Sequence, residues 1–369
     1  MKKLIASLLA LTLCAGLTAC GGKDITLDNT AGAASGSAAA SVSGTQSEPT
    51  AKIGVVFTTS GLGDNNFNDM IYRGLTKAEE ELGIQFDYSE PSSNGEIVTM
   101  LRNMVQDGTY DLVITLAADS ASAMQEVSAE YPDQKFEIID TTVEGDNVRS
   151  IMKSGADQGF MAGIIAGMLT QEEGFDKINS EKVVGAVMGM DVPLLRAVVA
   201  GYEAGARYYD SEVQVISSTV GSFGDPGKGK EMATAQYNQG ADIILNGAGG
   251  SGMGVFTAAE EQDKYAIGTG ANQNAMSPDH ILATATFELE SLVYDEVKAL
   301  LDGTWEAGVI NPGMKEGAIG YTVEESNIQI PQEILDKADA ACQTLIDNNI
   351  KLPETTDEVD AWLEQYGQG

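Results

Sequence analysis

The feature that most constrains this chain is an alternation that begins at Lys52. KIGVVFTTS is followed by the loop GLGDNN and then by FNDMIYRGLTKAEEEL, which ends at Leu82. The first piece is a short β-branched apolar run, the pattern of a strand buried on both faces. The last piece places Ile71, Leu75, Ala78 and Leu82 at helical spacing, with Glu79, Glu80 and Glu81 on the water side and Gly83 as the stop. The unit then recurs. IQFDY precedes EIVTMLRNMVQDG, YDLVITL precedes DSASAMQEVSAEY, and KFEIID ends at Asp140 before VRSIMKS. After the helix QGFMAGIIAGML a second series starts with KVVGAVMGM and runs through VQVISSTV, ADIILN and KYAIGTG, each followed or separated by a helical stretch. Such alternation specifies an α/β fold with parallel sheets.

The two series echo each other. DGTYDLVITL and QGADIILNGA share a helix-ending glycine, an aspartate (Asp111, Asp242) and a buried strand. Two similar doubly wound lobes follow, with strand C-terminal ends facing a shared cleft. The expected division is 51–153 with 272–302 as lobe I and 154–271 with 303–330 as lobe II. A helical tail, 331–369, keeps Ile334, Ala338, Ala341 and Leu345 at helical spacing and packs on a lobe. Strand ILATATF and helix ELESLVYDEVKALL are read as crossing back to the first lobe, with a further crossing near Gly317 to Val323.

Charge narrows the partners. Lys and Arg total 21 against 55 Asp and Glu, a formal net charge of -34. That field repels nucleic acid and anionic membrane surfaces. At the N-terminus, Lys2 and Lys3 precede a mostly apolar run from Leu4 to Leu13 and then LTAC. Residues 1–19 read as a secretory signal peptide. LTAC resembles a bacterial lipobox, which would make Cys20 the lipidated first residue. Residues 20–50, rich in Ala, Ser, Gly and Thr, read as a flexible tether. Cys14 would leave with the signal, Cys20 would carry lipid and Cys342 would stand alone in a helix, so no intrachain disulfide is expected. The single histidine, His280, rules out a His-based zinc cluster, and no cofactor is expected.

Gly247, Gly249 and Gly252 fit G-x-G-x-x-G between a strand and a helix, but the next strand ends at Gly270 rather than at an acidic ribose ligand. Close backbone approach to another ligand explains those glycines as well. GSFGDPGKGK has Gly221 and Gly227 misplaced for a phosphate loop, and Gly229 stands where Ser or Thr must bind magnesium. No calcium-binding loop is present in the sequence. Asp64 and Asp140 could form a carboxylate pair across the cleft, without a spacing that fixes it. Phe67 and Phe223 each lie in a polar loop at the expected cleft, where two rings could sandwich a flat heterocycle.

GLGDNNFND, FMAGIIAG, PLLRAVVAGYEAG, VGSFGDPGKGKEMA, QGADIILNGAGGSGMGVFTAA and VYDEVK together resemble the basic membrane protein family of purine-nucleoside-binding lipoproteins. These are substrate-binding components of ABC transporters with the periplasmic-binding-protein type I fold. The resemblance implies a small-molecule ligand, a permease partner, attachment to the cell membrane through lipid, and no catalysis. It makes Asp64, Phe67 and Asn68 ligand candidates, with Phe67 stacking on the base. It sets Asp140 on the purine edge, Phe223 as the second ring, and Gly249 and Gly250 as backbone contacts. Two positions depart from the family: Gly270 stands where an aspartate takes ribose hydroxyls, and Phe287 stands where a lysine is usual. Losing both weakens the sugar grip more than the base clamp, and Asn272 or Gln273 could compensate. A free base or an altered nucleoside is therefore an open alternative, as are a sensor or surface role and a secreted nucleoside-acting enzyme.

If Cys20 carries the anchor, Cys20→Ala will release the protein from the membrane fraction or block its processing. Fractionation with unchanged membrane attachment in the variant would contradict the lipobox.

Overall fold

In the computed structural model, which describes residues 49–59, 61–63 and 67–369, the alternation becomes two six-stranded sheets. The expected signal peptide, Cys20, nearly all of the tether and Asp64 lie outside the described residues. The first series runs β1 (Lys52–Val56), α1 (Phe67–Leu82), β2 (Gln85–Ser89), α2 (Asn94–Gln106), β3 (Leu112–Leu116), α3 (Ala121–Glu130), β4 (Phe136–Ile139) and β5 (Val148–Ile151). The second runs α4 (Gly155–Leu169), β6 (Val183–Met188), α5 (Pro193–Ala206), β7 (Gln214–Thr219), α6 (Pro226–Asn238), β8 (Ala241–Gly247), α7 (Met253–Gln262), β9 (Tyr265–Gly270) and β10 (Ile281–Phe287). Then come α8 (Leu289–Leu301), β11 (Gly308–Ile310), β12 (Ile319–Thr322), α9 (Gln332–Asp347) and α10 (Val359–Tyr366).

Strand order is β11-β5-β4-β3-β1-β2 in one sheet and β12-β10-β9-β8-β6-β7 in the other. The two orders match position for position. All pairings are parallel except β10 with β12. Burial follows from position. β3, β4, β6, β8 and β10 are buried along their length, while the edge strands β2 and β7 keep exposed residues. The echoing aspartates open equivalent strands at the edge opposite the strand C-termini. Asp111 accepts from the Lys52 backbone N–H at 2.8 Å. Asp242, fully buried, pairs with Lys264 at 2.7 Å and accepts from Thr170 Oγ1 at 3.0 Å and Asn179 N at 3.1 Å. Both are structural staples.

The chain passes between the lobes three times: from β5 to α4, from β10 to α8, and from β11 to β12. This corrects the expected division in two places. ILATATF is the fifth strand of the second sheet, because seven buried residues need a neighbour on each side and β9 and β12 supply them. The place beside β5 in the first sheet is filled instead by β11, from the stretch assigned to lobe II. Crossing back to the first lobe begins only after Phe287, and α8 then packs on α1 so closely that Gly74 faces the Glu290 carbonyl. The further crossing expected near Gly317 to Val323 is the third one, from β11 to β12, and residues 319–322 then close the second sheet.

One helix pair fixes the second lobe. Gly155, Gly159, Gly163 and Gly167 line one face of α4 against the α5 backbone, and Gly201 and Gly205 answer from α5. The tail packs here as well. Trp362 of α10 meets Phe160 edge-on at a ring-centroid distance of 5.7 Å, and its Nε1–H donates to the Lys351 carbonyl at 2.8 Å. Cys342 is buried in α9, where burial pushes its thiol up to about 12.

A Cβ on Gly163 would overlap the Tyr202 carbonyl oxygen, so the helices must separate to admit it. Gly163→Ala is expected to destabilise the protein by about 1–3 kcal/mol, the range for overpacking a filled core. Gly95→Ala, in a helix with no close neighbour, is expected to be neutral or slightly stabilising. Urea melts of the two variants check both.

Candidate functional site

All three crossings leave from strand C-terminal ends, so those ends of both sheets border the junction between the lobes. The candidate residues described below lie at such ends or in the loops and first helical turns that follow them.

On the first lobe, two successive strand ends carry non-glycine residues in the left-handed region. Ala117 follows β3 with φ 64 and Asp140 follows β4 with φ 65. Positive φ at an alanine is costly, and such strain gathers at functional sites. The turn at Asp140 is held by its N–H donating to the Ile151 carbonyl at 2.8 Å. Its side chain is 22% exposed, yet Oδ1 is sealed from solvent with no hydrogen-bond partner among the described residues. Burial pushes the Asp140 carboxyl above its ordinary value, and the charge of Lys153 pulls it part of the way back.

Lys153 lies two residues past β5, within the first crossing. Its ammonium stands 3.9 Å from Asp140 Oδ1, beyond hydrogen-bond length, and its side chain is 11% exposed. The same ammonium lies 5.2 Å from the Phe67 ring centroid and 5.4 Å from that of Phe287. These two rings are tilted at 6.3 Å from each other. Phe67, the first residue of α1, is half-buried against the first lobe's core, and Phe287 is buried within it. Thus Phe67, Asp140, Lys153 and Phe287 form one cluster. Lys153 escaped the sequence reading. A single lysine just past a strand carries no pattern in the sequence.

On the second lobe, Phe223 follows β7 and is 51% exposed. Its ring lies across Gly189, where a Cβ would overlap it, and against Gly249, where a Cβ would sit 3.3 Å from Cδ1. Gly249 also has φ 55, so glycine is required there twice over. Gly250 leaves room for the Phe223 carbonyl, 2.8 Å from where a Cβ would stand. The loop is stiffened by buried Ser251. Its N–H donates to the Phe223 carbonyl at 2.8 Å, its hydroxyl donates to the Ser222 carbonyl at 2.7 Å, and it accepts from Asp225 N at 2.8 Å. Phe223, Gly249 and Gly250 therefore sit together, and the ring is presented to solvent by a preformed loop.

Three other candidates are occupied locally. Asn68 is fully buried; its carboxamide accepts from Thr58 N at 3.1 Å and donates to the Gly61 carbonyl at 2.8 Å, clipping the loop that holds Phe67. Asn272 donates to Glu325 Oε2 at 3.1 Å and accepts from Asn274 N at 3.0 Å. Gln273 accepts from Thr269 N at 3.1 Å. Gly270 has φ 93, a turn that an aspartate at this position would strain. Two surface depressions of about 410 and 400 Å³ lie at the opposite sheet edges, near Tyr265 and near Ala51, and hold none of these residues. Among the described residues, no group of His, Cys, Asp or Glu could hold a metal ion.

The architecture is that of two-lobed binding proteins. An ABC transporter system solute-binding protein from Aeropyrum pernix K1 superposes with a TM-score of 0.69 at 25% identity, covering 86% of this chain and 97% of that one. The periplasmic component of an ABC-type sugar transport system from Hahella chejuensis, at 14% identity and a TM-score of 0.54 over 74% of this chain and all of that one, shares the fold. The fold is therefore the periplasmic-binding-protein type I arrangement. A family model described as ABC transporter substrate-binding protein PnrA-like matches residues 51–356, and the chain belongs to this family. An uncharacterized lipoprotein of Pyrococcus abyssi is 33% identical over 282 residues, 73% of this chain and 68% of that protein. Basic membrane protein A of Borreliella burgdorferi is 26% identical over 311 residues, 82% of this chain and 88% of its own. The family is one of substrate-binding proteins, not of enzymes.

A carboxyl whose folded-state pKa is raised costs stability once pH climbs past its unfolded value. Asp140→Asn removes that cost, and asparagine tolerates the left-handed turn. The ligand-free variant should gain stability over the native protein as pH rises from about 4 to 7, with the gain fading below roughly pH 4. Denaturant melts across that range check the sign.

Proposed function

We propose that this chain is a lipid-anchored, extracytoplasmic binding protein that closes its lobes on a purine nucleoside or related free base and delivers it to an ABC permease. The observation that carries the reading is Phe223: an aromatic ring half in solvent, laid over glycines by a stiff loop at the cleft. A core phenylalanine would not be presented in this way, and a ring waiting for a flat partner would be. Opposite in role, the first lobe offers Phe67 as apolar lining and Asp140 as a partly exposed carboxylate. A cleft lined by rings with a few polar groups fixes a heterocycle by stacking and orients it by hydrogen bonds. Asp64 enters the proposal on sequence alone. The lipoprotein names of the relatives support the anchor. Closure about the three crossings would sequester the ligand.

A ligand that binds only the folded state stabilises it by about 2.7 kcal/mol at a hundredfold excess over its Kd. In a thermal-shift panel of purine bases, purine nucleosides, pyrimidine nucleosides and sugars, the largest rises in Tm should come from purines. Phe223→Ala should leave the ligand-free melt nearly unchanged and weaken purine binding by roughly threefold to tenfold. Shifts from sugars alone, or a large loss of stability in Phe223→Ala, would contradict the reading.

A further inference from the structure

We infer that Ser251 is a positioning residue of the cleft: its hydroxyl holds the Phe223 ring where it can stack on the ligand, and Gly189 gives that ring its seat. This rests on the reading of Phe223 as a ring that stacks on a purine, and names what places the ring.

Strand order sets the problem that the second lobe has to solve. Phe223 follows β7, the outermost strand of its sheet, with β6 and then β8 inward of it. An edge strand delivers its following loop to the rim of the sheet, one strand away from β6 and two from β8. The chain turns inward from there. Val220 N–H donates to the Met188 carbonyl and Gly221 N–H to the Gly189 carbonyl, both at 2.8 Å, which carries the backbone along the end of β6. Gly221 then turns with φ 84, and the Phe223 ring comes to lie against Gly189 and Gly249.

Ser251, in the turn after β8, keeps the segment there. Its backbone N–H donates to the Phe223 carbonyl at 2.8 Å. Its hydroxyl donates to the Ser222 carbonyl at 2.7 Å and accepts from the Asp225 N–H at 2.8 Å. These three bonds bracket the ring: one residue before it, at its own carbonyl, and two residues after it. Two other bonds in the segment are local. Ser222 Oγ accepts from the Gly224 N–H and Asp225 Oδ1 from the Lys228 N–H, both at 3.0 Å. They shape the loop and cap α6, and neither reaches the turn after β8. The Ser251 side chain is fully buried, and its hydroxyl is used both as donor and as acceptor. A binding group is held only as well as the contacts that support it.

Gly189 supplies the seat. A Cβ there would overlap the ring at Cδ1 and Cε1, with Ala248 Cα next at 3.3 Å. Its φ lies outside the left-handed region, so alanine is accepted by the backbone and acts by displacing the ring.

Titration calorimetry with adenosine, guanosine, inosine, adenine and hypoxanthine tests both residues. It is run on the native protein, Ser251→Ala, Gly189→Ala, Phe223→Ala, and Phe223→Ala combined with each of the other two, with denaturant melts confirming that each is folded. Ser251→Ala and Gly189→Ala should each weaken binding by roughly threefold to tenfold, and by no more than Phe223→Ala does. In the Phe223→Ala background either change should move affinity by less than about twofold, because residues that act through one ring do not add. A purely structural role predicts additivity, with the same fold loss whether or not the ring is present. If Ser251→Ala does not fold, Ser251→Cys, which keeps a weak donor at that place, is read against the same expectations. Equal losses with and without the ring, or native affinity in Ser251→Ala, would overturn the role of Ser251 and leave the purine reading standing. Binding of none of the five compounds would overturn the purine reading and this role with it.

Discussion

The structure depends on how three chain crossings are bound to one another. Met152 N–H donates to the Ile310 carbonyl at 2.9 Å and Ser154 N–H to the Pro312 carbonyl at 3.2 Å, so the first and third crossings run as a short ladder. Glu288 N–H donates to the Ala318 carbonyl at 2.8 Å, tying the second crossing to the third. Asp157, in the first turn of α4, accepts from Met314 N at 2.9 Å. The lobes can therefore move only as this bundle flexes. Lys153 is part of the bundle, and the Phe287 ring abuts it.

The two cleft rims are built on different principles. The first lobe stores unfavourable features: a left-handed alanine, a left-handed aspartate, a carboxylate oxygen without a donor and an ammonium beyond hydrogen-bond reach of it. Such features persist where the surrounding structure over-determines them. Here the filled core around Ile71, Leu75 and Leu289 does so. The second lobe stores little. Two of its strands, β8 and β9, end in glycines, its loop is satisfied by Ser251, and it exposes one aromatic face. One rim supplies the polar edge, the other a flat apolar surface. A planar ligand with one polar edge suits that division.

The fold was legible because its signals are local and periodic. Buried β-branched runs and helical spacing repeat in each series, and the parallel α/β class follows from them. Boundaries between the lobes were not legible. ILATATF reads equally well as a strand of either sheet, and only the competition of β11 and β12 for the open edges decides. The close seating of α4 on α5 was also obscure, since glycines recurring every fourth residue look like poor helix formers until the partner backbone is seen. At the candidate site, the place of Phe223 in a loop after a strand was legible, whereas Asp140 was singled out through the family resemblance. Asn68 and Asn272 look like ligand groups in sequence, but their carboxamides hold their own loops. Lys153 was missed because a single lysine after a strand carries no pattern; its meaning comes from Asp140 and two rings that are distant in sequence.

The central claim is that the cleft holds a purine. It is tested most directly by isolating the protein gently from cells that make it, denaturing it, and identifying the released small molecule by mass spectrometry. The account predicts a purine nucleoside or base present in near-stoichiometric amount and depleted from Phe223→Ala. A sugar, an amino acid or a peptide released in that amount would contradict it.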